Sequence, residues 1–125
     1  MKKVILDTNF ILTSVKQKID FFEEIKFMGM KILIPEQVIN ELKIIVNSKK
    51  KLHFREDAKL SLKFLEKESF KKIDLSKYGK NTDKGIKNFA EKNKDIIVAT
   101  LDKELKNKIK NSKLVIREKK KLEII

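Results

Sequence analysis

Val4-Ile5-Leu6-Asp7-Thr8-Asn9 is the stretch that decides the fold class, because a short apolar run ends directly in a carboxylate. Such a run suits a strand that is buried on both faces of a parallel sheet. A second apolar run, Ile96-Ile97-Val98-Ala99, is closely followed by Asp102. Ligand sites of open α/β sheets form where strands end and helices begin. The two stretches therefore predict acidic side chains gathered at one edge of a parallel sheet.

Apolar periodicity and capping residues predict the other elements. We expect strands at 3–6, 32–34, 70–75, 96–99 and 114–116, and helices at about 9–15, 21–28, 35–46, 55–68, 83–92 and 102–109. Strands that alternate with helices imply a parallel sheet with right-handed crossovers. The 125 residues are enough for one packed core, so we expect a single domain over 1–125 with a basic tail at about 117–125.

The chain is strongly basic, with a formal net charge of +13 from 31 Lys and Arg against 18 Asp and Glu. Such a balance favours polyanionic partners, above all nucleic acid. The alternative is a compositional bias, since 29 of the 31 basic residues are lysines, as an AT-rich genome or a heat-adapted surface would produce.

The ligand atoms available to a metal are almost all oxygen, because the chain has no cysteine and one histidine, His53. Disulfides and thiolate metal sites are therefore excluded, and the single histidine argues against a zinc site built on imidazoles. No apolar run is long enough to cross a bilayer, and Met1-Lys2-Lys3 lacks the apolar stretch of a secretory signal. We expect a cytoplasmic protein without a membrane partner.

Four carboxylates are the candidate metal ligands: Asp7, Glu41, Asp83 and Asp102. Carboxylates that are drawn together repel one another, and a hard divalent cation such as Mg²⁺ or Mn²⁺ relieves that repulsion. Glu41 lies about 40° around its helix from Ile45, at the border of an apolar stripe where an unpaired carboxylate is costly. The alternatives are a Glu41 that leans into solvent, and plain helix caps at Asp7, Asp83 and Asp102, with Thr82 an equally good cap near Asp83.

The order and context of these acids resemble the PIN-domain ribonucleases. The resemblance rests on Asp7-Thr8-Asn9 after the first strand, Glu41 within Val38-Ile39-Asn40-Glu41-Leu42, Asp83 ahead of Ile86 and Ala90, and Val98-Ala99-Thr100-Leu101-Asp102. The ending Arg117-Glu118-Lys119-Lys120-Lys121-Leu122 and the paired helices after strand two look most like small archaeal PIN proteins related to the endonuclease that processes small-subunit ribosomal RNA.

The resemblance implies a three-layer αβα sandwich around a five-stranded parallel sheet. It also implies an endoribonuclease that uses Mg²⁺ or Mn²⁺ in the acidic pocket, with Asp7, Glu41, Asp83 and Asp102 both catalytic and metal-binding. The products would carry 5′ phosphate and 3′ hydroxyl ends. A homodimer is plausible on the same ground, as is a protein partner that is either an antitoxin or a ribosome-assembly factor.

Further residues have expected supporting roles. Thr8, Asn9 and Thr100 are expected to hydrogen-bond the carboxylates and orient them. RNA contacts are expected from two basic clusters: Lys49, Lys50, Lys51 and Arg55, and Arg117, Lys119, Lys120 and Lys121. Glu104 is either an auxiliary acid or a solvent-facing residue of a helix first turn. His53 is expected at the surface.

Three rival functions stay open on the sequence. The first is a PIN scaffold that binds RNA or ribosome-assembly partners without cleavage. The second is a ribonuclease toxin of a toxin–antitoxin pair. The third, outside the family, is a flavodoxin-like phosphoacceptor or nucleotide module with the same layered fold.

Overall fold

The computed structural model describes residues 2–125, apart from the side chain of Lys119. The strands are β1 (Lys3–Leu6), β2 (Lys31–Pro35), β3 (Lys71–Ile73), β4 (Ile97–Ala99), β5 (Lys113–Arg117) and β6 (Lys121–Ile124). The α-helices are α1 (Thr8–Lys16), α2 (Phe21–Phe27), α3 (Glu36–Val46), α4 (Leu52–Glu66), α5 (Thr82–Lys92) and α6 (Lys103–Lys108), and a 3₁₀ turn spans Glu118–Lys120.

The strands form one sheet in the order β3-β2-β1-β4-β5-β6. The first five are parallel, as expected, and β6 runs antiparallel to β5. The sequence did not indicate β6, because the strand follows a basic run and contributes one buried apolar residue, Leu122. Leu122 pairs with Ile116 across the two strands, so the expected tail at 117–125 folds back onto the sheet edge.

Helices cover both faces of the sheet, which confirms the layered α/β prediction. Val4 and Leu6 face a core that is completed by α1 to α4. Ile5, between them, faces a smaller core on the other side, completed by residues of α5 and α6. This alternation follows from the twofold side-chain period of a strand. The larger core is rich in phenylalanine, with ring centroids of Phe21 and Phe22 4.8 Å apart.

Helix ends agree with the predicted ones to within a few residues, with one informative difference at α5. Neither Asp83 nor Thr82 caps this helix. Asn81 does, because its Oδ1 accepts a hydrogen bond from the backbone N–H of Lys84 at 2.9 Å. Asp83 is thereby left in the first turn with its carboxylate uncommitted to the cap. Within residues 2–125, no helix combines the length and apolar character needed to span a bilayer.

Strand register brings the predicted acids to one edge of the sheet. Leu6 is paired with Ala99, so the residues that follow β1 and β4 leave the sheet side by side. The backbone N–H of Asp7 donates to the carbonyl of Ala99 at 3.0 Å and fixes this alignment. Strand β2 ends at the same edge and leads directly into α3, which carries Glu41.

Candidate active site

One open cavity of about 360 Å³ at the carboxyl edge of the sheet contains all four predicted acids. It is lined by Asp7, Thr8, Asn9, Glu41, Ile44, Ile45, Asp83 and Asp102. No lysine or arginine belongs to this lining, although the chain has 31 such residues. We refer to this space as the acid cavity. The geometry brings together residues as far apart in the chain as 7 and 102.

Asp7 is the most buried of the four acids, with 5% of its surface exposed. Its Oδ1 accepts a hydrogen bond from the backbone N–H of Thr8 at 2.8 Å, and its Oδ2 accepts one from the Thr100 hydroxyl at 2.9 Å. Burial raises the pKa of Asp7 from 3.8 to about 6. The two hydrogen bonds oppose this shift, while the negative charges of Asp83 and Glu41 add to it. Asp7 is therefore a carboxylate that lacks a compensating positive charge.

Glu41 is held by two threonine hydroxyls, one on each carboxylate oxygen. Thr8 donates to Oε1 at 2.5 Å and Thr82 donates to Oε2 at 2.9 Å. Because α3 begins directly after β2, the helix carries Glu41 over the edge of the sheet to these two partners. The predicted alternative, a glutamate that leans freely into solvent, is therefore wrong. A carboxylate fixed on both oxygens has a defined position in the acid cavity.

Asp102 combines the two roles that the sequence left open. Its Oδ1 accepts hydrogen bonds from the backbone N–H groups of Glu104 at 2.9 Å and Leu105 at 3.4 Å, which caps α6. The same residue lines the acid cavity. Capping and a place in the cavity are compatible, because the cap uses one carboxylate oxygen.

Asp83 faces Asp102 across the acid cavity. Its pKa is raised, first by burial and then by the charges of Asp102, Glu41 and Glu104, while Lys108 lowers it. Glu104, in the first turn of α6, is mostly paired with Lys108, whose Nζ lies 2.9 Å from its Oε1. The exposed position of Glu104 in that turn agrees with the expected solvent-facing role.

The donor set of the acid cavity fits a hard divalent cation. Its charged groups are carboxylates only, and the pKa values of Asp7 and Asp83 are raised in the direction that a bound cation would reverse. In the positions observed, however, no three acidic or histidine side chains of residues 2–125 converge closely enough to hold one ion together. The structure thus places suitable ligands around one space without a preformed coordination sphere.

The predicted supporting residues divide into two groups. Thr8 hydrogen-bonds Glu41 and Thr100 hydrogen-bonds Asp7, whereas Asn9 lines the acid cavity without a side-chain hydrogen bond to an acid among the described residues. The expected RNA-binding residues lie outside the cavity lining as far as the structure describes them. These are Lys49, Lys50, Lys51, Arg55, Arg117, Lys120 and Lys121, while the side chain of Lys119 lies outside the described residues. Arg117 is paired with Glu123, with Nε 2.8 Å from Oε2, and His53 is exposed and stacked on Phe54.

Two sets of residues beside the acids were not predicted from the sequence to belong to the site. One is Thr82, which the sequence suggests as a helix cap and which instead holds Glu41. The other is a group of lysines around an adjoining cavity of about 190 Å³ that shares Asp83 and Asp102: Lys84, Lys87 and Lys108. The available signal was helical spacing at Lys87, which follows Asp83 by four residues on the same helix and so shares its face.

The fold and the acid cavity together define a PIN-like α/β domain. The chain belongs to the PIN domain family, because the family described as "PIN like domain" matches residues 4–121. Ribonuclease VapC4 of Methanocaldococcus jannaschii is 33% identical over 130 aligned positions, which cover 99% of this chain and 97% of that protein. The predicted family is confirmed.

Solved structures agree with this assignment. The PIN domain endonuclease Utp24 superposes with a TM-score of 0.73 at 25% identity, over 98% of this chain and 95% of that one. VapBC2 from Rickettsia felis, bound to a DNA fragment from their promoter, gives a TM-score of 0.62 at 18% identity, over 89% of this chain and 98% of that one. The latter likeness shows the fold alone. Family membership, a ribonuclease relative and an endonuclease neighbour together support nuclease activity.

Proposed function

We propose that this protein is a divalent-metal-dependent endoribonuclease that hydrolyses RNA phosphodiester bonds. The observation that carries the proposal is the lysine-free cavity lined by Asp7, Glu41, Asp83 and Asp102 in an otherwise strongly basic protein. The ribonuclease relative, similar over nearly its whole length, supports the choice of RNA.

In this proposal the four carboxylates hold Mg²⁺ or Mn²⁺. A bound ion of this kind supplies Lewis acidity, which makes hydroxide available near neutral pH and offsets charge on the departing oxygen. The chain's own residues set the positions of the ligands. Thr8 and Thr100 hold Asp7, while Thr8 and Thr82 hold Glu41. Since Thr8 touches both acids, it couples the end of β1 to α3.

Ion binding requires a local rearrangement of the side chains. Both carboxylate oxygens of Glu41 accept a hydrogen bond from a threonine hydroxyl in the structure. Among the described residues, no hydrogen bond holds the carboxylate of Asp83. We therefore expect Asp83 to be the acid that turns towards the acid cavity when a cation binds. The neighbouring Lys84 and Lys87 are placed to attract the phosphate backbone towards the acids.

Cleavage of labelled RNA tests the proposal. Wild-type protein is incubated with 5′-labelled RNA in Mn²⁺, in Mg²⁺ and in EDTA, beside Asp7→Asn and the control Glu66→Gln, which removes one negative charge from an exposed residue outside both the acid cavity and the groove described below. We expect cleavage in either metal and none in EDTA, a loss of at least about 100-fold in Asp7→Asn, and no change in the control. Equal cleavage by wild type and Asp7→Asn would reject the assigned site. Binding without cleavage in both metals would favour the scaffold function.

The biological setting has two candidates. The relative named ribonuclease VapC4 favours a toxin of a toxin–antitoxin pair, whose partner would be an antitoxin encoded beside it. The basic ending at 117–122 and the paired helices α3 and α4 favour processing of ribosomal RNA, with a ribosome-assembly partner. Expression of the wild type and of Asp7→Asn in a heterologous host separates them, because growth arrest that requires Asp7 is expected of a toxin. Light scattering of the purified protein tests the proposed homodimer.

A further inference from the structure

A groove rich in lysine lies at the amino edge of the sheet, opposite the acid cavity. It consists of two adjoining cavities of about 750 and 460 Å³ that share Lys3, Leu33 and Lys71. Seven exposed lysines line it: Lys2, Lys3, Lys26, Lys31, Lys71, Lys92 and Lys94. We refer to the two cavities together as the lysine groove. Neither expected basic cluster, at 49–55 or at 117–121, contributes to it.

Backbone pairing forces these charges together. Lys3, Lys31 and Lys71 are the first residues of β1, β2 and β3, and the register sets Lys3 directly beside Lys31. The backbone N–H of Lys31 also donates to the carbonyl of Lys2 at 2.9 Å. Like charges on neighbouring strands are destabilising unless a counter-charge is supplied. An anion in the groove would remove that repulsion.

The protein itself provides little of that counter-charge. Among the described residues, no carboxylate lies within ion-pair distance of any of these lysines except Lys26. Asp95, between Lys94 and Ile96, is the only acid among the residues that line the two cavities. Lys26, at the far end, is paired with Glu68 at 3.1 Å. The groove therefore carries an excess of positive charge over a defined concave surface.

Aromatic rings lie in the same surface. Phe89 lines one of the two cavities and Phe70 lines the other, and each ring is half-buried. A basic channel with aromatic side chains is the common design of single-strand nucleic-acid sites, because the lysines follow the backbone and the rings stack on bases.

We propose that the lysine groove binds a single-stranded segment of RNA at a site separate from the acid cavity. The choice of RNA over DNA rests on the proposed ribonuclease function, whereas binding in the groove does not require cleavage. Lys3 and Asp7 are four residues apart along β1, so the two edges are separated by about 13 Å at 3.3 Å per residue. The groove would hold a part of the substrate away from the bond that is cut.

Binding of a fluorescent oligouridylate in EDTA, where the proposed cleavage cannot occur, tests the inference. The groove variant is K31Q/K71Q/K94Q. The matched control is K16Q/K59Q/K63Q, which removes the same charge from three exposed lysines that line neither cavity. We expect binding to weaken at least tenfold in the groove variant, and the slope of log K against log salt to fall by about 2, because each lost phosphate contact on a single strand removes about 0.7. The control is expected to keep the slope of the wild type.

Two further controls test whether charge, and not folding, causes the loss of binding. K31R/K71R/K94R, which retains the charge, should restore binding, and equal urea midpoints of all variants establish that folding is unchanged. Equal losses in the groove and control variants would overturn the inference, as would no loss in either. Phe27, which is 93% exposed beside Lys26, makes a membrane surface the rival outcome. Groove-dependent binding to vesicles of anionic lipid without groove-dependent RNA binding would also overturn it. If RNA binding depends on the groove but the protein never cleaves RNA, the proposed function is contradicted and the inference about the groove still holds.

Discussion

Replacement of Asp7 by asparagine should stabilise the metal-free protein while it abolishes metal-dependent function. The perturbation is nearly isosteric, and the site is almost fully buried, with 5% exposed. The asparagine oxygen can still accept the backbone N–H of Thr8, and its amide can face the Thr100 hydroxyl. What disappears is a buried negative charge beside two other carboxylates.

The magnitude follows from the pKa of Asp7. Its rise from 3.8 to about 6 corresponds to about 3 kcal/mol, since one pKa unit is worth about 1.4 kcal/mol. The folded state binds the proton more tightly than the unfolded state does, so the contribution of Asp7 to stability is complete below about pH 4 and is lost as the pH rises through about 6. Asparagine has no such loss. We expect Asp7→Asn to gain about 1–3 kcal/mol at pH 7.5 and almost nothing at pH 4.

Urea unfolding in EDTA at several pH values measures this gain. Glu66→Gln, at an exposed position, is the control for the general effect of one lost negative charge on a protein of net charge +13. In millimolar Mn²⁺ the order should reverse, because a ligand that binds only the folded wild type stabilises it by RT ln(1 + [L]/Kd). A gain that is the same at pH 4 and pH 7.5, or a loss at pH 7.5, would refute the argument that burial of the charge raises this pKa.

Three further predictions concern residues that the structure singles out. Thr82→Val should lower Mn²⁺-dependent RNA cleavage at least about tenfold, because it removes one of the two hydroxyls that hold Glu41. Thr82→Ser keeps the hydroxyl and should retain activity. Equal cleavage rates for the two variants would show that Thr82 does not position Glu41. Asn111→Asp should lower the free energy of unfolding in urea by about 3 kcal/mol or more. The Asn111 amide donates to the carbonyls of Ala90 and Ile96 at 3.1 and 2.9 Å, and a carboxylate in its place would repel them. Asn111→Ala should lower the free energy of unfolding by less. Ser14→Ala should leave the free energy of unfolding unchanged or raise it by up to about 1 kcal/mol, since the buried Ser14 hydroxyl has no hydrogen-bond partner among the described residues; a measured loss above about 1 kcal/mol would imply a partner such as a buried water.

Local signals were sufficient for most of the fold. The apolar run before Asp7 is a central strand, and Asp20 and Asp102 cap α2 and α6 as their positions next to helical patterns indicate. These features depend on residues within one or two turns of each other, so the sequence displays them directly. Helix α4 starts at Leu52, three residues before the expected Arg55, because no side-chain cap marks this end and its first turn is exposed.

The acids of the candidate site were predicted, and so were Thr8 and Thr100 as their hydrogen-bonding partners, whereas Thr82 was not. The order of Asp7, Glu41, Asp83 and Asp102 along strand ends and helix starts indicated one edge of the sheet. Which hydroxyl holds which carboxylate depends on the docking of α3 against β1 and α5, for which no local pattern exists. The strand β6 was missed for a similar reason, since the antiparallel pairing with β5 supplies the stability that its own composition lacks.

Sequence alone determined the layered α/β architecture, the family, and the set of acids that gather at the carboxyl edge, because these follow from periodicity and from residues next to strand ends. Tertiary structure decided how the acids are held and where the free lysines collect. The deciding contacts join residues far apart in the chain: Thr8 to Glu41 over 33 positions, Thr82 to Glu41 over 41, and Thr100 to Asp7 over 93. Such contacts form only when the strands pair in their native register, and the same register sets Lys3 beside Lys31 at the opposite edge.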